Sequence, residues 1–208
     1  MQRFYVTFPL KIDLEITDKD IHHQLTRVMR VRIGEEITLF DGDGSETVYE
    51  ITEITKTTLS LRGRGRTFPR TESEKNITLY QALPNKLEKI EYIIQKGVEI
   101  GIRKFIFFRS DYSQKLILSD SKKARCLSIA REGLEQCGGL IMPEIEFTDK
   151  VKHQSSVMNI TLDTTGASQK ITEIPQNREI SIWVGPEGGW SEKEREKMKE
   201  YGFIFVRF

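Results

Sequence analysis

Residues 183–194, WVGPEGGWSEKE, concentrate the chemistry of this sequence. An apolar strand ends, a Gly/Pro loop follows, and Ser191 with Glu194 forms a capping box that opens a helix. Gly185, Gly188 and Gly189 let a ligand approach the backbone closely, and the helix start adds unpaired N–H groups. A phosphate loop needs Gly-Lys-Ser/Thr, and no lysine stands in this loop. The dinucleotide pattern G-x-G-x-x-G is also missing, and Glu187 would repel phosphate. The loop therefore suits a ligand with hydroxyls, an amino group and an adenine better than a triphosphate. The competing reading is a tight strand-to-helix turn that binds nothing.

Other candidates are weaker. The helix in LPNKLEKIEYIIQKGVEIG has a polar face with Lys86, Lys89, Lys96 and Glu99, which reads as a solvated face or as functional. EGLEQCGG puts Glu135 and Gln136 at a helix end beside flexible glycines. His22 and His23 are adjacent, His153 is remote, and no ligand spacing links them, so no metal site is expected. Cys126 and Cys137 form neither a disulfide framework nor a zinc site, which favours a reducing cytoplasm. No apolar run approaches the 18 or so residues of a membrane span, and the first residues do not read as a secretory signal.

The net charge of +1 hides a sorted distribution. Residues 22–32 carry Arg27, Arg30 and Arg32 and no acid. Residues 62–70 carry Arg62, Arg64, Arg66 and Arg70 and no acid. Between them, residues 35–53 hold seven acids and no base. A balanced chain can still present one basic face to a polyanion.

These residues need elements to position them. The first 70 residues read as short alternating strands with one helix over 18–30, capped by Thr17 or Asp18, the pattern of a small β-barrel. The stretch 63–76 breaks the periodicity and reads as a linker. From residue 77, strands alternate with helices over 85–100, 120–137 and 191–201, which implies a parallel α/β sheet with ligands at the strand carboxyl ends. Leu87, Ile90, Ile94 and Val98 mark the core face of the first of these helices. Ala124, Leu127, Ala130 and Leu134 mark that of the second.

Four blocks in order, HHQLTRVMRVRIGEEITLFDGDG, LPNKLEKIEYIIQKGVEIGIRKF, EGLEQCGG…MPEI and WVGPEGGWSEKE, resemble the bacterial 16S ribosomal RNA uridine-N3 methyltransferase family. That family belongs to the knotted SPOUT superfamily. The resemblance implies a PUA-like β-barrel RNA-binding domain over 1–70. It also implies a SPOUT-type α/β methyltransferase domain over 71–208, S-adenosylmethionine as cofactor, and a homodimer. The substrate it implies is 16S ribosomal RNA or the small ribosomal subunit. Residue by residue, Gly185, Pro186, Glu187, Gly188 and Gly189 match the cofactor loop, with Leu162 in the same pocket. His23, Arg27 and Arg30 match the basic RNA-facing helix, and Arg32, Arg64 and Lys86 are added as RNA contacts. Lys86, Gln95, Lys96 and Glu99 match the family's helix block. Glu99 and Glu135 are the candidates for removing the N3 proton. Two departures stand out. Gly139 replaces a cation, and the family's pattern continues beyond Arg207-Phe208, so a C-terminally truncated domain with an incomplete knot is expected. A non-catalytic RNA-binding relative and a knotted methyltransferase with another target are the alternatives.

Overall fold

The computed structural model describes residues 2–69, 71–114, 116–149, 151, 153, 155–165, 169–170, 172 and 177–207. Arg70 of the second basic run lies outside the described residues. The chain forms two compact units, Met1–Glu72 with Leu134–Met142, and Ser73–Gly133 with Pro143–Phe208.

The first unit contains β1 (Arg3–Tyr5), β2 (Asp13–Ile16), α1 (Lys19–His23), a π-helical turn (Gln24–Val28), β3 (Glu36–Phe40), β4 (Glu46–Ile54) and β5 (Leu59–Thr67). They build a five-stranded mixed sheet in the order β1-β3-β4-β5-β2. β1 runs parallel to β3, and the other pairs are antiparallel. One apolar core gathers Phe4 and Ile16 from the two edge strands with Leu39, Tyr49, Ile51 and Leu61 from the centre. A sheet whose two edges share one core is the arrangement the small-barrel pattern called for.

Two expectations change here. The single helix over 18–30 is a short α-helix capped by Asp18, whose Oδ1 accepts the Asp20 and Ile21 N–H groups at 3.0 Å, followed by the π-helical turn. Met29 N–H reaches back to Gln24 O at 2.9 Å, and Arg30 then ends the helix at φ +57°. The stretch 63–67 is not linker. β5 continues to Thr67, pairing Arg66 with Thr47 and Thr67 with Glu46 across a register shift. A bulge lets the ladder outlast the break in sequence periodicity.

The second unit holds β6 (Asn76–Ala82), α2 (Leu87–Glu99), β7 (Lys104–Phe108), α3 (Asp120–Cys137), β8 (Glu144–Thr148), β9 (Met158–Leu162), β10 (Gln169–Lys170), β11 (Glu179–Val184), α4 (Glu192–Glu200) and β12 (Ile204–Arg207). The last residues of α3, from Leu134, belong to the first unit. The seven strands are parallel, in the order β10-β12-β9-β11-β6-β7-β8. α2 buries Ile90, Ile94 and Val98, as its period requires. α3 differs from its expected face. Cys126, Ala130 and Leu134 are buried, whereas Ala124 is exposed and Leu127 is 41% exposed. Cys126 joins Ala130 and Leu134 on the packed side, so the buried stripe keeps the C-terminal half of the expected one and turns away from Ala124 and Leu127.

Candidate functional site

In the parallel sheet, β9, β11 and β12 are neighbours and end at the same edge. Their carboxyl ends frame a cleft of about 600 Å³. Every residue of the GPEGG loop lines it, and so does Leu162. Six residues singled out in the sequence thus meet in one place. Asp163, Thr164, Thr165, Val184, Trp190, Arg195, Val206 and Arg207 stand on the same walls and were not singled out as site residues. The Asp-Thr-Thr-Gly that follows strand β9 is a turn signal of the kind already noted for the other loop, and it was the available clue.

Local bonds fix the shape. Asp163 N–H donates to Val206 O at 3.1 Å, tying the end of β9 to β12. Trp190 Nε1 donates to Leu162 O at 3.1 Å, which holds the helix start against β9. Inside the loop, Gly189 N–H closes a turn onto Pro186 O at 2.9 Å, with Gly189 at φ +72°. A Cβ at Gly185 would stand 3.3 Å from the Trp190 ring. The capping box forms as read, with Ser191 Oγ accepting from Glu194 N at 3.2 Å and Glu194 Oε2 accepting from Ser191 N at 2.9 Å.

Electrostatics distinguish the two acids at the cleft. Glu187 accepts from Lys89 Nζ at 2.6 Å and from Asn85 N–H at 3.2 Å. The hydrogen bond from Lys89 holds its carboxyl below the usual range. Its charge is thus matched by the start of α2. Asp163 is buried, which pushes its pKa up. Hydrogen bonds from Arg195 (2.7 Å) and from the Thr165 N–H and hydroxyl (3.1 and 3.0 Å) outweigh burial and hold it low. Asp163 occupies Arg195, and Arg207 also stands on the walls, which otherwise offer backbone amides, threonine hydroxyls and apolar side chains. The glycine amides and threonine hydroxyls suit a ligand with hydroxyls and an amino group, and no lysine lines the cleft among the described residues.

The remaining candidates are not among the residues that line the cleft. Glu99 ends α2 and pairs with Lys96 Nζ at 2.7 Å. In a parallel sheet the crossover helix returns to the amino edge, so Glu99 sits away from the strand ends that build the cleft. Lys86 is the exposed N-cap position of α2. Glu135, in the first unit, accepts Tyr5 N–H at 2.9 Å. The two basic runs also differ. On β5, Arg62 pairs with Asp13 at 3.7 Å, Arg64 with Glu36, and Arg66 with Asp41 and Asp43 at 3.1 and 2.5 Å. Arg27, Arg30 and Arg32 are exposed, beside exposed His23, and have no ion-pair partner among the described residues. No helix is long and apolar enough to cross a membrane, and no three His, Cys, Asp or Glu side chains cluster as metal ligands among the described residues.

Comparison with known proteins agrees with the geometry. Residues 71–208 match the model of an RNA methyltransferase domain, and residues 16–62 that of an RNA methyltransferase PUA domain. The chain is 28% identical to Ribosomal RNA small subunit methyltransferase E of Buchnera aphidicola, over 99% of this chain and 87% of that protein. Against the protein of the same name in Bacillus subtilis it is 27% identical, over 96% and 86%. A crystal structure of Ribosomal RNA small subunit methyltransferase E from Neisseria gonorrhoeae, bound to S-adenosyl methionine, superposes with TM-score 0.84 at 28% identity, over 99% of this chain and 88% of that one. A probable rRNA-methyltransferase from Porphyromonas gingivalis gives TM-score 0.86 at 21% identity, over 100% and 89%, and supports the fold alone.

Proposed function

The chain belongs to the RNA methyltransferase family, and from that membership we propose that it methylates N3 of a uridine in 16S ribosomal RNA, using S-adenosylmethionine. It is an S-adenosylmethionine-dependent ribosomal RNA methyltransferase with a PUA-type N-terminal region. The observation that carries the reading is the glycine-lined cleft at the ends of β9, β11 and β12. Gly185, Gly188 and Gly189 would bring backbone amides against the cofactor. Leu162 and Val206 would pack on its adenine, and Thr164 and Thr165 would meet hydroxyls. The cofactor supplies an electrophilic methyl group on a sulfonium. The protein must hold N3 in line with that methyl, and positioning of this kind is worth up to roughly 7–11 kcal/mol. N3 lies on the pairing edge of uracil, so the base must be unpaired or flipped out when it reacts. We assign RNA contact to His23, Arg27, Arg30 and Arg32, the cluster whose charges have no ion-pair partner among the described residues. Free 16S ribosomal RNA or the small subunit as substrate, a homodimer and a cytoplasmic location complete the reading, on the strength of the family resemblance.

Calorimetric titration with S-adenosylmethionine, followed by nucleoside analysis of treated 16S ribosomal RNA, tests it. Cofactor binding and N3-methyluridine are expected. Gly185→Ala, whose new Cβ meets the Trp190 ring, should weaken cofactor binding about tenfold, the equivalent of ~1.4 kcal/mol. A ribose-methylated product, or no cofactor binding, would overturn the assignment.

A further inference from the structure

A second cavity, of about 470 Å³, lies wholly within the first unit and has no part in the cofactor cleft. Its walls include Arg3, Gln24, Met29, Glu135, Gln136 and Cys137. One uncommon backbone feature lies on its wall and a second directly follows it in the chain. Gln24 and Met29 are the two ends of the π-helical hydrogen bond, so the wide turn itself sets both side chains on the cavity. Arg30, the next residue, holds a left-handed φ of +57° that a side chain rarely adopts. Single π turns and strained φ values concentrate at sites of function.

The polar lining indicates what would enter. Arg3 reaches Glu46 at 3.1 Å and Gly139 O at 3.5 Å through Nη2, yet its buried Nε has no hydrogen-bond partner among the described residues. Buried donors are seldom left so. Gln24 and Gln136 each add an amide with a donor and an acceptor. Glu135 contributes a carboxylate already held in place by the Tyr5 N–H. A carboxylate beside two amides disfavours phosphate and matches the mixed donor–acceptor edge of a nucleobase. Outside, Arg27 and Arg30 are exposed cations suited to phosphates. The volume falls in the range of small-ligand sites.

We propose that this cavity receives one unpaired nucleobase of the RNA substrate, with the flanking phosphates on Arg27 and Arg30. The proposal rests on the RNA-substrate reading above and extends it to a second contact point, separate from the cleft. A base inside a duplex keeps its edge paired and its faces stacked, so only a single-stranded or extruded base can enter.

The protein carries its own reporter for the test. Cys137 is exposed on the cavity wall. Burial pushes the Cys126 thiol up to about 11, so it is silent toward alkylation at mildly alkaline pH. The rate of Cys137 alkylation by iodoacetamide is followed on the whole chain, with binding of fluorescein-labelled RNA read in parallel by anisotropy. A short single-stranded RNA at saturation should slow alkylation about tenfold, as one well-held base edge warrants, and a fully paired duplex should not. Gln24→Ala with Gln136→Ala should reduce the protection while leaving the unliganded alkylation rate and the circular dichroism unchanged. If RNA binds and the Cys137 rate does not move, the pocket is overturned and the RNA reading stands. If no RNA binds, both fall. Equal protection by single strand and duplex would mean shielding from outside and would also overturn the pocket, as would full protection in the double variant.

Discussion

Asp163 shows how much one buried side chain can decide. It is 3% exposed, and its two oxygens accept from Arg195 and Thr165. Burial opposes its charge, but those hydrogen bonds prevail and its folded pKa lies below the unfolded value. The sign follows from linkage. Stability from this group is present above the ordinary carboxylate range and is lost as pH falls through the lower, folded pKa. Asp163→Asn leaves Arg195 without its charge partner, and urea titration at neutral pH should show a loss of about 3 kcal/mol. The same variant should lose less stability than the parent on acidification. Arg30 gives the opposite lesson. Its left-handed backbone costs roughly 1–2 kcal/mol, which glycine would not incur. Arg30→Gly should therefore raise the urea midpoint while weakening RNA binding. It should also flatten the salt dependence by about one unit of slope. A variant with lower stability and unchanged RNA affinity would remove Arg30 from the RNA face.

At the scale of elements, α2 carries a second compromise. Gly97 stands in its interior, where alanine would gain about 1 kcal/mol of helix propensity. A Cβ there would lie 2.5 Å from the Phe105 ring of β7, closer than any packed carbon. Overpacking of this kind costs about 1–3 kcal/mol, so Gly97→Ala should lower the melting temperature despite its better propensity. A rise in melting temperature would show that β7 yields. α2 was legible in sequence because Ile90, Ile94 and Val98 repeat at helical spacing and are large. The capping box of α4 was legible because its bonds span three residues. α3 was legible as a helix and in its C-terminal half, where Ala130 and Leu134 are buried, but not at its start, where Cys126 packs while Leu127 faces outward. The π-helical turn has no sequence signature. The two-residue strand β10 is too short to show a period.

For the whole molecule, legibility follows distance along the chain. The GPEGG loop could be found because glycines, proline and cap sit within a dozen residues. The ion pair on its partner wall could not, because Asp163 and Arg195 meet only when β9 is laid beside β11 and β12. The same holds for charge. The β5 arginines look as available as those of residues 27–32 until strand packing brings Glu36, Asp41 and Asp43 to them. Arg62 with Asp13 repeats this across the β2–β5 ladder. Among the described residues a balanced composition thus resolves into paired arginines on β5 and a run at 27–32 without ion-pair partners. The discontinuity of the first unit reaches further, into biosynthesis. Tyr5 N–H takes its acceptor from Glu135, Gly44 N–H from Leu140, and Met142 N–H donates to Gly42 O. A ribosome that has just made Glu72 has therefore not yet supplied these partners. It needs on the order of ten seconds more at ~5–20 residues per second. Over that interval the emerging sheet waits with backbone groups unpaired. Codon choice between residues 73 and 142 consequently sets how long the N-terminal unit is exposed to mispairing, although that stretch encodes mostly the other unit.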